Sequence, residues 1–167
     1  MRWILDACTL IYLIKTDLFS KFMTLVEFPV VIDSSVYQEV VVYGKKNKYP
    51  DANDAEISLN EFKIPVISID ISEELFRFRD PGETSCYILA KEDGICLTSD
   101  DRAYKKFIKE EQKAMRLDSF YFEKLNQKKL TEAEFLIILK KLEAIHATKP
   151  KSFLFFLEKL NQRKEDT

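Results

Sequence analysis

Short apolar runs alternate with longer amphipathic stretches over the first hundred residues. Trp3-Ile4-Leu5, Val30-Val31-Ile32, Val66-Ile67-Ser68-Ile69 and Ile95-Cys96-Leu97 are too short for helices and rich in β-branched or large apolar residues. They predict buried strands. Residues 9–26, 35–44, 52–62, 72–78 and 81–93 lie between or beside them with helix-like spacing. Strand, helix and strand in this rhythm are joined by crossovers. The fold class expected is therefore α/β, three layers around a parallel sheet.

Helix starts carry their own chemistry. Asp80-Pro81-Gly82-Glu83 offers an N-cap, a proline at the first helical position and an acid at the third. Ser35 with Gln38, and Thr131 with Glu134, have capping-box spacing. From about residue 101 the pattern is mostly helical, beginning with a helix over Arg102–Lys113. Phe135, Ile138, Leu139, Leu142 and Ile145 form one apolar stripe; Phe153, Phe156, Leu157 and Leu160 form another, with Pro150 between them. The organisation expected is an α/β domain over 1–115 and a helical hairpin extension over 116–167, packing on that domain or on a partner. Residues 120–129 are echoed at 155–164, but two copies are too few for a solenoid.

Composition narrows the class. The chain has 167 residues, 46% of them hydrophobic and 13% aromatic, with three Gly and five Pro. That supports a sizeable core and excludes disordered or collagen-like chains. No apolar run approaches the roughly 20 residues of a membrane span, and Met1–Asp6 meets a carboxylate too early for a signal peptide. Three cysteines (Cys8, Cys86 and Cys96) without a Cys-x-x-Cys pair favour reduced thiols and a cytoplasmic location. The net charge of −2 argues against a generally basic nucleic-acid binder, but it is unevenly spread. Residues 1–100 hold 10 Lys and Arg against 17 Asp and Glu, a net of −7; residues 101–167 hold 16 against 11, a net of +5.

Ligands of open α/β sheets sit beyond the carboxyl ends of the strands, so the residues following each strand decide the chemistry. Asp6 follows the first. Asp33 and, a helical turn further, Glu39 follow the second. Asp100 and Asp101 follow Ile95-Cys96-Leu97, and Glu83 opens the helix feeding that strand. Each acid alone has a structural explanation: Asp6, Glu83, Asp100 and Asp101 as helix caps or first-turn acids, Glu39 as a solvated helix residue. Asp33, before a Ser-rich turn, is assigned no more than structure. Jointly, Asp6, Glu39, Glu83 and Asp100 or Asp101 converge on one sheet rim. Carboxylates so crowded repel one another unless a cation intervenes. Hard oxygen donors without nearby His point to Mg²⁺ or Mn²⁺, and such ions suit phosphodiester hydrolysis.

These residues resemble the PIN-domain ribonuclease family. The first acid ends a strand in Ile4-Leu5-Asp6-Ala7-Cys8-Thr9, and the second lies in the helical segment Val36-Tyr37-Gln38-Glu39-Val40. The third opens a helix in Gly82-Glu83-Thr84-Ser85, and the fourth follows a strand in Leu97-Thr98-Ser99-Asp100-Asp101-Arg102. The likeness spans about residues 1–115. It implies a Rossmann-like α/β/α sandwich, Mg²⁺ or Mn²⁺ as cofactor and endonucleolytic cleavage of single-stranded or structured RNA. Many small prokaryotic members are toxins of VapBC-like toxin–antitoxin pairs. Transferred here, Asp6, Glu39 and Glu83 are metal-binding and catalytic, and a hydroxyl-x-acid pattern favours Asp101 over Asp100 as fourth acid. Thr9, Thr98 and Ser99 are implied as supporting groups. RNA, an antitoxin protein and a second copy of the chain are the implied partners, with no membrane. Glu83 stands where many members have Asp, and residues 116–167 exceed a minimal member. The alternative is a PIN-like module that binds RNA or protein without cutting.

Cations flank the acids. Lys45, Lys46 and Lys48 follow Glu39; Arg102, Lys105, Lys106 and Lys109 follow the last acid. They are candidates for RNA phosphates or for an ordinary solvated face. Tyr43, Tyr49 and Tyr104 are candidates for stacking on unpaired bases or for packing. His146, the only histidine, lies far away in a predicted tail helix, and no Gly-rich phosphate loop is present.

Overall fold

A computed structural model describes residues 1–74, 78 and 80–165 of the chain. Five strands form one parallel sheet: β1 (Arg2–Leu5), β2 (Val30–Asp33), β3 (Val66–Ile67), β4 (Gly94–Leu97) and β5 (Ala114–Met115), in spatial order β3-β2-β1-β4-β5. Helices lie on both sides, so the fold is the expected α/β sandwich. β1 is central, and the strand order reverses between it and β4. That is the switch point at which such sheets open a crevice.

β1, β2 and β4 are apolar because they are covered, whereas the strand expected buried over Val66–Ile69 is only Val66–Ile67, with Val66 exposed at the sheet edge. Trp3, Ile4, Leu5, Val30, Val31, Ile32, Cys96 and Leu97 are all buried. Each aliphatic side chain of this kind withdrawn from water contributes about 1.5–3 kcal/mol before chain entropy is charged against it. The helix α6 (Pro81–Asp93) packs across β4, β1 and β2, with Cys86, Tyr87, Leu89 and Ala90 buried. As its sequence requires, it starts with Asp80 accepting the Glu83 N–H at 3.1 Å and with Pro81 in the first turn.

Several boundaries differ from the pattern. The helix expected over 9–26 is two, α1 (Ala7–Lys15) and α2 (Phe19–Leu25), because Asp17 adopts φ 55° and ends the first. The run expected over 35–44 extends further and changes pitch: α3 (Ser34–Tyr37), a π-helical turn over Gln38–Tyr43, and α4 (Gly44–Lys46). Asp33 caps it, accepting the Ser35 N–H at 2.8 Å, in place of the Ser35–Gln38 box. α5 (Asp51–Glu61) follows. Of the helix expected over 72–78, a 3-10 turn at Ser72–Glu74 is present, and residues 75–77 lie outside the described residues. α7 (Asp101–Lys109) is shorter than expected because Glu111, at φ 56°, turns the chain into β5. β5 itself carries no apolar run, only Ala114 and Met115.

The chain divides into two compact units, the second beginning at Leu117. That unit contains α8 (Leu117–Asn126), α9 (Glu132–Ala144) and α10 (Pro150–Glu165). Within it Phe122, Phe135 and Phe156 stack around one another at 5.1–5.8 Å. The Thr131–Glu134 capping box opens α9, and His146 follows that helix at φ 60°, outside it. No described helix is long and apolar enough to cross a membrane.

Candidate active site

The switch point carries a cleft of about 970 Å³. Asp6, Glu39, Asp80, Glu83 and Asp100 line it together with Cys8, Phe78, Arg102 and Lys106. Parallel pairing explains the meeting. β1 and β4 run side by side, Leu5 opposite Leu97, so the residues after both strands emerge at the same rim. α6 then delivers Glu83 from its first turn, and the π-helical turn delivers Glu39. A π turn widens the helix locally and commonly marks functional positions.

Asp6 is held most firmly. Only 7% of it is exposed. Its Oδ1 accepts the Thr9 N–H at 2.8 Å, capping α1, and the Cys8 thiol points at both carboxylate oxygens at 3.1–3.2 Å. Burial pushes its carboxyl above the ordinary range, partly offset by hydrogen bonds from Thr98, Thr9 and Cys8. Thr9 in turn donates from Oγ1 to the Leu97 carbonyl at 2.9 Å, locking the start of α1 to the end of β4. Thr98, fully buried, takes the Asp100 N–H on its hydroxyl at 3.2 Å. Ser99 Oγ is buried with no hydrogen-bond partner. Burial also keeps the Cys8 thiol well above its normal value, reinforced by the charge of Asp6, which suits a hydrogen-bond donor and not a nucleophile.

Glu83 and Glu39 are raised too. For Glu83 the causes are partial burial, then Asp100, Asp80 and Asp6, with Arg102 working the other way. For Glu39 they are partial loss of water, then Asp80 and Asp6. The acids therefore feel one another across the cleft. Asp80, read from sequence only as a cap, is one of this set; its place in a capping motif hid it. Gly82 belongs to the same geometry. A Cβ there would stand 2.9 Å from Asp80 Oδ1 and 4.0 Å from Glu39 Oε2.

Asp100 and Asp101 part company. Asp100 lines the cleft while its Oδ1 accepts the Arg102 and Ala103 N–H groups, both at 2.8 Å. Asp101, the residue favoured from its spacing, is not among the lining residues, and its carboxylate is paired with Arg116. Adjacent residues at a helix start project in different directions, and the hydroxyl-x-acid pattern does not register that. Among the cations, Arg102 and Lys106 face the cleft one helical turn apart, with the Lys106 ammonium 4.4 Å from the Phe78 ring centre. Lys105 and Lys46 are exposed away from the cleft lining, and Lys45 pairs with Glu56. Tyr104 already carries the Arg116 guanidinium over its ring at 4.8 Å.

The donor set consists of hard carboxylate oxygens. Among the described residues, no three His, Cys, Asp or Glu side chains stand close enough together to hold a metal ion. Glu39 and Glu83, raised first by partial burial and then by the neighbouring acids, are the ones a cation would relieve.

Residues 2–116 match a family model described as a PIN domain. No curated protein matches the chain. Among solved structures it is similar to a domain of a functionally unknown protein from Methanocaldococcus jannaschii DSM 2661. The two are 20% identical with a TM-score of 0.50, over 70% of this chain and 90% of that one.

Proposed function

Because the chain belongs to the PIN-domain family, we propose that it is a metal-dependent endoribonuclease whose active site is the carboxylate cleft at the end of β1 and β4. The observation carrying this reading is the convergence of Asp6, Glu39, Glu83 and Asp100 on one cleft that also presents Arg102 and Lys106. Asp6, Glu39, Glu83 and Asp100 would hold Mg²⁺ or Mn²⁺, with Asp100 in preference to Asp101. Such an ion supplies an acidified water and neutralises charge at the scissile phosphate.

The chain's own residues do the positioning. Thr9 and Thr98 fix the Asp6 carboxylate; the Thr98 hydroxyl and the first N–H groups of α7 fix Asp100. Arg102 and Lys106 bind backbone phosphates beside the acids. Asp80 adds negative charge, and the unpartnered Ser99 hydroxyl stands beside Asp100 in the chain, available to a water. The reading includes a cytoplasmic location, a second copy of the chain and an antitoxin as protein partners, and residues 116–167 as the element that meets one of them.

Cleavage of end-labelled RNA in Mn²⁺ tests it. Asp6→Asn and Glu83→Gln, folded by circular dichroism, lose activity; undiminished cutting by both removes the site. The competing reading is a PIN-like domain that binds RNA or protein without cutting. Calorimetric titration with Mn²⁺ separates the two, because a scaffold without catalysis needs no metal. A small DNA-binding protein encoded next to this gene would point to the toxin role.

A further inference from the structure

Beside the carboxylate cleft, and sharing Glu39 with it, lies a smaller cavity of about 260 Å³. Tyr43, Tyr49, Ile11, Val40 and Asp51 form its walls. The local sequence builds it. Tyr43 ends the π-helical turn, and Gly44 follows it against α5; a Cβ on Gly44 would lie only 2.8 Å from the Cβ of Ala52. The absence of that atom lets α5 bring Asp51 up to the cavity. The chain then reverses at Lys48, whose φ is 59°, and the Tyr49 N–H donates to the Gly44 carbonyl at 2.8 Å. This returns Tyr49 to Tyr43, the rings edge to face at 6.3 Å between centres. Both tyrosines remain 55% exposed.

Aromatic walls with carboxylates at their margin select for a particular chemistry. Ionised Glu39 and Asp51 only accept hydrogen bonds and repel phosphate, so the ligand must offer a flat apolar face and N–H donors at its edge. Asp51 meets Lys15 at 3.5 Å through one oxygen, leaving the other for such a donor. A nucleobase with an exocyclic amine meets these demands. Uracil, with a single N–H between two carbonyls, meets them poorly. Lys46 and Lys48, on the same turn, form no ion pair among the described residues and can hold the phosphates that flank the base.

We propose that this cavity is a nucleobase subsite, in which one unpaired, amine-bearing base of an RNA strand stacks on Tyr43 and Tyr49 while an adjoining phosphate enters the carboxylate cleft. The subsite rests on the endoribonuclease reading, and its test is a binding measurement made without metal. Fluorescent uridine heptamers with a central guanosine, a central uridine or a central abasic residue are titrated in EDTA against the wild type and Tyr43→Ala/Tyr49→Ala.

The guanosine heptamer binds the wild type about tenfold more tightly than the abasic one, as expected for one stacked base, and more tightly than all-uridine RNA. The double variant loses that preference while keeping its circular dichroism. Tyr43→Phe/Tyr49→Phe retains it. Guanosine preference undiminished in the alanine variant, or absent in a wild type that cleaves RNA in Mn²⁺, overturns the subsite alone and leaves this face to a protein partner. A wild type that neither binds nor cuts RNA overturns both readings.

Discussion

At the scale of single residues, the raised carboxyls of Asp6, Glu39 and Glu83 have a thermodynamic consequence with a definite sign. An acid whose folded pKa exceeds its unfolded value contributes stability through its protonated form. That contribution is complete below the ordinary carboxylate range and is lost as pH rises through the raised value. Ionisation of these acids in the folded protein is opposed by burial and, for Glu39 and Glu83, also by the neighbouring acids. Asp6→Asn keeps an N-cap for α1, since asparagine caps as well as aspartate. Its melting temperature at pH 7.5 is expected to equal or exceed the wild type's. Mn²⁺ raises the wild-type melting temperature at pH 7.5, and by less as the pH falls and protons compete for the carboxylates; a shift independent of pH contradicts a carboxylate site.

The neighbouring pair Asp100 and Asp101 gives a sharper contrast. Asp100→Asn is expected to reduce cleavage about 100-fold or more, on the scale of removing one preorganised electrostatic group. Asp101→Asn breaks a partly exposed ion pair with Arg116, worth about 0.2–1 kcal/mol, and changes cleavage less than tenfold. Rates of the two variants side by side decide it. Two acids in succession leave the sequence ambiguous, and only the first-turn geometry of α7 separates them.

At the scale of elements, most of what could be read from the chain followed burial, β3 excepted, whose Val66 and Ile67 are apolar yet exposed or half-buried. β1, β2 and β4 were legible because all are covered and therefore apolar. β5 was not, because its two residues are half-buried at the sheet edge and flanked by Lys113 and Arg116. The break between α1 and α2 was hidden for a different reason. Leu13, Leu18, Phe19 and Phe22 keep an apolar rhythm across it, while Asp17 takes a left-handed turn no periodicity records.

The junction of α6 and β4 is equally specific. Gly94 begins β4 beside Ile4, and a Cβ there would fall 2.3 Å from Ile4 Cδ1 and 3.2 Å from the Leu89 carbonyl. Gly94→Ala is expected to cost about 1–3 kcal/mol, the usual range for an overpacked core. Ile4→Val removes the Cδ1 atom, so the double variant recovers part of that loss despite the smaller side chain. Urea denaturation of the two singles and the double measures the coupling; simple additivity refutes the contact.

For the whole molecule, the division of charge acquires a location. Residues 1–100 carry the acids of the cleft, and six cations lie from Arg102 to Arg116 against two acids, on α7 and the segment leading through β5. Opposite charges are thus placed at one sheet rim by the same crossover that joins β4 to β5. The net charge of −2 conceals this because summation discards position. Of those cations, Arg102 and Lys106 line the cleft, while Arg116 is occupied by Asp101 and Tyr104. Phosphate binding to the cleft should accordingly draw on two charges and no more. Each phosphate contact to single-stranded RNA contributes about 0.7 to the slope of log affinity against log salt. Arg102→Ala/Lys106→Ala is therefore expected to lower that slope by about 1.4, measured by fluorescence anisotropy between 50 and 300 mM KCl in EDTA. Lys105→Ala, on the same helix but away from the cleft, changes it by much less. If the Lys105 variant matches the double variant, the affinity comes from the basic helix as a whole, and the cleft loses its claim to the phosphates.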